Sequence, residues 1–116
     1  MPAPARTLRS VQTKTAAFTA SPAVNTYNVD TSGGAVTVTL PAPSTISYNM
    51  STPKPDGAVK LCPEWTIIRT TATVNNVTIS PASGTINGGA NVTLGAQWAF
   101  AIIWTDGTNY FTADGT

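Results

Sequence analysis

Between Val74 and Phe111 the chain reads VNNVTISPASGTINGGANVTLGAQWAFAIIWTDGTNYF, and this stretch narrows the fold more than any other. Apolar residues recur at every second position, as in Val77 and Ile79 or Val92 and Leu94. That period matches a strand with one face against a core. The runs are broken by Asn87-Gly88-Gly89 and by Asp106-Gly107. Asn, Asp and Gly tolerate the positive φ that hairpin turns demand.

The same grammar extends upstream. Tyr27–Asp30 reads as a short strand and Thr31-Ser-Gly-Gly34 as a turn. In Ala35–Leu40 the residues Val36, Val38 and Leu40 share one face, with Thr37 and Thr39 on the other. Pro41 and Pro43 end that strand, because proline has no donor for a ladder. A loop rich in Pro, Ser and Thr runs over 41–57. Strands are expected at Ala58–Leu61, Trp65–Thr70, Val74–Ser80, Gln97–Trp104 and Asn109–Thr112. No segment carries a helical period. Turn signals at spacings of about 8–12 residues point to a sandwich or barrel. The fold expected is all-β: a small antiparallel β-sandwich or barrel, jelly-roll-like, over residues 21–116. An extended N-terminal arm, residues 1–20, precedes it. Val38-Thr-Leu-Pro and Val77-Thr-Ile-Ser-Pro also echo one another, each a Val-Thr strand running into a proline loop.

Composition removes much chemistry. The 116 residues include no His, which takes away the commonest general base and transition-metal ligand. A serine nucleophile therefore has no imidazole partner. The five carboxylates, Asp30, Asp56, Glu64, Asp106 and Asp114, are scattered, and three of them sit in Asp-Gly turns. No phosphate-binding glycine loop or calcium-loop spacing is present. The expectation is a non-enzyme with no cofactor and no metal. The single Cys62 forms no intrachain disulfide and reads as a small core residue. Charged residues make up only 9% of the chain, against about a quarter in typical domains. The body has too little positive charge for nucleic acid. No apolar run has the length of a signal peptide or membrane span, so no membrane partner and folding in a cytoplasm are expected.

Two features invite partners. Residues 1–20 hold Arg6, Arg9 and Lys14, half of the six basic residues, and no acid. Such an arm suits an acidic surface, with Leu8, Val11 and Phe18 as its apolar anchors. The second feature is Gln97–Trp104, apolar on both faces. Trp98, Phe100, Ile102 and Trp104 point one way, and Ala99, Ala101 and Ile103 the other. A strand covered on one side only would alternate with polar residues. The Trp face is expected to fill the core, and the small-residue face to allow close approach of another subunit. Trp65, Trp98, Tyr48 and Tyr110 also offer rings for stacking a sugar, although their strand positions read as inward.

AVTVTLPAPS followed by WTIIRTTATVNNVTISPASGTINGGANVTLGAQWAFAIIWTDGTNYF resembles a β-module of tailed-bacteriophage virion proteins. It is found in tail fibres, head fibres and small capsid decoration, or cement, proteins. The shared order is a Val-Thr-Leu-Pro strand, Asn-x-Val-Thr-Ile, a Gly-Thr-Ile-x-Gly turn, a Leu-x-x-Gln strand and a closing Asp-Gly-Thr-Asn-aromatic hairpin. It spans roughly residues 27–112. Trp65 and the long 41–57 loop depart from the pattern. The resemblance implies a virion part acting as a homotrimer. A chain running from Met1 to Thr116 with a basic arm fits the decoration proteins. These bind the major capsid protein on the outer shell and clamp neighbouring subunits. The other role implied is a fibre module that attaches to a host surface or glycan.

Overall fold

A computed structural model describes residues 10–46 and 64–115. They form nine strands: β1 Val11–Lys14, β2 Phe18–Thr19, β3 Thr26–Val29, β4 Val36–Leu40, β5 Trp65–Arg69, β6 Val77–Pro81, β7 Val92–Leu94, β8 Phe100–Thr105 and β9 Tyr110–Gly115. One 3₁₀ turn, Pro43–Thr45, follows β4. The strands make two sheets, one in the order β1-β3-β5-β8-β9 and the other β2-β4-β6-β7. Val36, Val38, Leu40, Val77, Ile79 and Leu94 of the smaller sheet pack against Tyr27, Val29, Trp65, Ile67, Ala101, Ile103 and Tyr110 of the larger. This is the expected β-sandwich.

Its pairing differs from the antiparallel, jelly-roll-like arrangement expected. The ladders β1–β3, β3–β5, β2–β4 and β4–β6 are all parallel. Only β5–β8, β6–β7 and β8–β9 are antiparallel. The cause is the route of the chain. From β1 to β6 it alternates between sheets, so each return to a sheet repeats the earlier direction. The result is a coil of three rungs closed by an antiparallel cap. The echo between Val38 and Val77 marks two successive rungs. The observed register sets Val36 beside Val77 and Val38 beside Ile79, two residues away from the sequence alignment.

Part of the expected arm belongs to the sheets. Residues 11–14 and 18–19 are the first strands of the two sheets. Phe18 packs on Tyr27 with ring centroids 4.6 Å apart, and the Lys14 ammonium lies 5.4 Å from the Phe18 ring centre. Residues 11–14 and 18–19, expected in the arm, are therefore part of the sandwich. Arg6, Leu8, Arg9, Tyr48, Cys62 and the expected strand Ala58–Leu61 lie outside the described residues.

Polar groups fix the ends of the sandwich. Arg69 is only 1% exposed. Its Nε donates to the Thr71 carbonyl at 3.2 Å, Nη1 to that of Leu94 at 3.4 Å, and Nη2 to that of Thr73. The Thr31 hydroxyl lies 2.7 Å from both the Thr71 and Thr73 hydroxyls, and the Asn75 amide donates to the Thr31 carbonyl at 2.9 Å. One planar cation thus ties down two carbonyls of the loop after β5 and joins them to a third on β7. At the other end the Tyr110 hydroxyl donates to the Pro41 carbonyl at 2.5 Å. The Trp65 indole N–H donates to that of Ser21 at 2.9 Å.

The expected turns are present. Asn87 and Gly88 have φ of 50° and 80°, and Ile86 and Gly89 exchange both backbone hydrogen bonds across them. That is the mirror-image two-residue turn that Asn-Gly favours. At the second turn the Asp106 carboxylate accepts from the Thr108 and Asn109 amides, both at 2.9 Å. The Asn109 and Thr108 amides hold the Asp106 carboxyl below its ordinary value of 3.8. The Ser32 hydroxyl and amide do the same for Asp30.

Both lowered values give one sign. Each carboxylate contributes stability above its unfolded value of 3.8, lost as pH falls through the lower folded one. Melting temperature should therefore be insensitive to these groups near neutrality and decline in acid. The decline should be shallower in Asp106→Asn, whose amide oxygen accepts the same bonds without titrating. A second pair of variants tests the buried polar groups. Arg69→Met takes the donor from the Thr71 and Thr73 carbonyls and should cost about 3 kcal/mol in denaturant unfolding. Among the described residues the buried Thr112 hydroxyl has no partner, so Thr112→Val should stabilise by about 1 kcal/mol.

Candidate assembly surface

The register of the larger sheet decides which residues of β8 face out. Trp65 pairs with Ile103 and Ile67 with Ala101, while Thr66 pairs with Ile102 and Ile68 with Phe100. Directly paired residues share a face. Trp65, Ile67, Ala101 and Ile103 are all completely buried, so theirs is the inner face. Ala99, just before the strand, is also buried.

The expected facing is therefore reversed. Ala99, Ala101 and Ile103 line the core and cannot meet another subunit. Phe100, Ile102 and Trp104 look outward. The reason is volume: Tyr27, Trp65 and Tyr110 are each at most 1% exposed, and the rings of Trp65 and Tyr110 lie 6.0 Å apart. An interior already holding those rings takes small side chains beside them. Burial also removes Trp65 and Tyr110 from any sugar-stacking platform.

Trp98 does not belong to the strand. It stands in a turn with φ 68° and is 63% exposed. The Ala99 amide donates to the Ala96 carbonyl across it at 3.1 Å, and Trp98 N–H reaches the Arg69 carbonyl at 2.7 Å. The bonds of the turn present its indole to solvent. Phe100 and Trp104 are 38% and 39% exposed.

The outer face gains a residue that sequence reading missed. Phe111 pairs with Trp104 in the β8–β9 ladder, and their rings stack at 6.5 Å with 28° between planes. Its place in Asn-Tyr-Phe was visible, but its facing depended on the register of β9. Phe100 lies over Gly115, leaving no room there for a Cβ. Ile68 adjoins Phe100, and Ile102 lies between Phe100 and Trp104 along β8. The outward positions of β5, β8 and β9 are thus Thr66, Ile68, Phe100, Ile102, Trp104, Phe111, Ala113 and Gly115, none of them charged. A connected aromatic patch of this kind is a candidate interaction surface.

Of the expected arm contacts, Val11 is half-exposed on β1, Lys14 covers Phe18, and Phe18 is a partly buried core neighbour. Through the row Val11–Thr26–Thr66–Ile102, Val11 shares the outer face of the larger sheet, but it sits at the β1 edge, three strands away from β8. Lys14, paired with the buried Val29, and Phe18, in the other sheet, are not on that face. No protein-family model matches the chain, and no curated protein matches it.

Trp98→Ser and Trp104→Ser should each change unfolding free energy by no more than about 1 kcal/mol. Ala101→Leu, one strand-face away, should cost about 1–3 kcal/mol by overpacking. Equilibrium urea unfolding checks the order; a tryptophan variant less stable than Ala101→Leu would reverse the assigned facing.

Proposed function

We propose that this chain is a structural part of a bacteriophage virion, a decoration protein that binds the outer shell as a homotrimer and clamps neighbouring capsid proteins. The observation that carries the reading is the uncharged aromatic face of the larger sheet. Trp98, Phe100, Trp104 and Phe111 are held outward by ladder register and by a left-handed turn. Tryptophan and its aromatic neighbours are the side chains that dominate protein–protein contacts. The virion setting and three-fold symmetry come from the sequence resemblance. Each copy in a trimer would present one face to its neighbours and a second surface to the shell. Three weak shell contacts on one particle make the later ones intramolecular and raise affinity by about 10²–10⁴.

The exposed indoles favour a second reading, a fibre module attaching to host glycans. Aromatic rings open to solvent are what a sugar's apolar face stacks upon, and Trp98 is the most open of them.

Sedimentation and shell binding separate the two. A decoration protein should sediment as a trimer at micromolar concentration, bind shells stripped of it and raise their resistance to heat. Phe100→Ser with Trp104→Ser should return it to monomer and weaken shell binding by about the avidity factor. A wild-type monomer that ignores shells and loses glycan-array binding in Trp98→Ala would replace the first reading with the second.

A further inference from the structure

We infer that the open edge of β1 is a strand-addition site for an extended, acidic segment of a partner protein, separate from the aromatic face. Ser10 accepts from the Thr26 amide at 2.9 Å, and Lys14 from that of Asp30 at 2.9 Å. In a parallel ladder, alternate residues bond to the same neighbour. Ser10, Gln12 and Lys14 therefore use their backbone groups on β3. Val11 and Thr13 turn theirs away from the sheet, and among the described residues nothing bonds to them there. Val11, Gln12 and Thr13 are all exposed.

The remaining edges are poor sites. β2 has two residues and β7 three. The opposite edge of the larger sheet is closed. Tyr110 exchanges backbone bonds with Thr85 and Asn87. The Asn87 side-chain amide then donates to the Thr112 carbonyl and accepts from the Thr112 amide, at 3.1 and 3.0 Å. Unpaired ladder groups are a template for a further strand. In the larger sheet that template survives at β1.

Charge selects the occupant. No acid precedes Asp30, while Arg6, Arg9 and Lys14 lie in or before β1. The Lys14 ammonium stands over Phe18 at the mouth of the sandwich. An incoming strand with a carboxylate near Lys14 gains a charge-assisted contact. A second copy of this chain offers the same cations, so like charge would meet like.

The test uses the full chain, ¹⁵N-labelled, and a nine-residue peptide of alternating valine and threonine with glutamate at both ends. A matched peptide carries lysine instead. In the free protein the Val11 and Thr13 amides should exchange with solvent quickly and the Gln12 amide slowly. The acidic peptide should slow Val11 and Thr13 selectively, bind about tenfold more tightly than the lysine peptide, and weaken with added salt. Thr13→Pro removes only an outward N–H, which an edge strand tolerates. It should keep the wild-type melting temperature and lose about tenfold in peptide affinity. Gln12→Pro removes a ladder bond and shows what loss of β1 itself looks like. Val11 and Thr13 amides already slow in the free protein, perturbation elsewhere, or equal binding by Thr13→Pro would each overturn the proposal. The exchange pattern of the wild type decides even where the proline variant unfolds.

Discussion

Three large rings share the interior of a thin sandwich, and most of the functional geometry follows from fitting them. Tyr27, Trp65 and Tyr110 are fully enclosed, and each is oriented by a hydrogen bond as well as by packing. The Ser21 amide donates to the Tyr27 hydroxyl at 2.8 Å, and the Ser21 carbonyl accepts from the Trp65 indole. With that volume taken, β8 presents only the smaller Ala101, Ile103 and Thr105 inward. Its large residues are sent outside because the inside is occupied, and the exposed patch is a by-product of core volume as much as of a need to bind. A change in one of the three rings should therefore be felt at the surface through the facing of β8.

Much of this fold was readable from residue order. Alternation located β4, β6 and β7 closely, and Asn87-Gly88 announced its turn because few residues accept two successive positive φ angles. What the pattern could not convey was the direction of pairing. A strand shows the same alternation beside a parallel or an antiparallel neighbour, and here the loops cross between sheets. The facing of β8 was hidden for a related reason. Both of its sides are apolar, so period alone offered two equal solutions, and the choice lay with Trp65 and Tyr110, distant in sequence. The exposed indole of Trp98 depended on a backbone angle that tryptophan seldom adopts. Val11 and Phe18 looked like parts of an arm because a four-residue strand and a two-residue strand carry too little alternation to stand out.

The end of the sandwich near Arg69 shows how a chain with few charges uses one of them. Buried cations are costly unless their donors are satisfied. Here the guanidinium is met by carbonyls of the 71–73 segment and of Leu94. A hydroxyl cluster around Thr31 joins the same segment to the turn after β3. The connection between the two sheets is thus pinned where β5 crosses to β6, the same crossing that makes the neighbouring ladders parallel.

The side chain of Asn87 has a wider consequence. By pairing with both backbone groups of Thr112, it stands in for the strand that would otherwise come next. A coil of parallel rungs with two bare ends would invite head-to-tail polymerisation, each molecule seeding the next along an unlimited filament. Here the two termini of the coil are chemically unlike, and the far one refuses a further rung. Growth by stacking would then stop after a single molecule, and the particle of fixed size proposed above would be left to lateral contact through the sheet face.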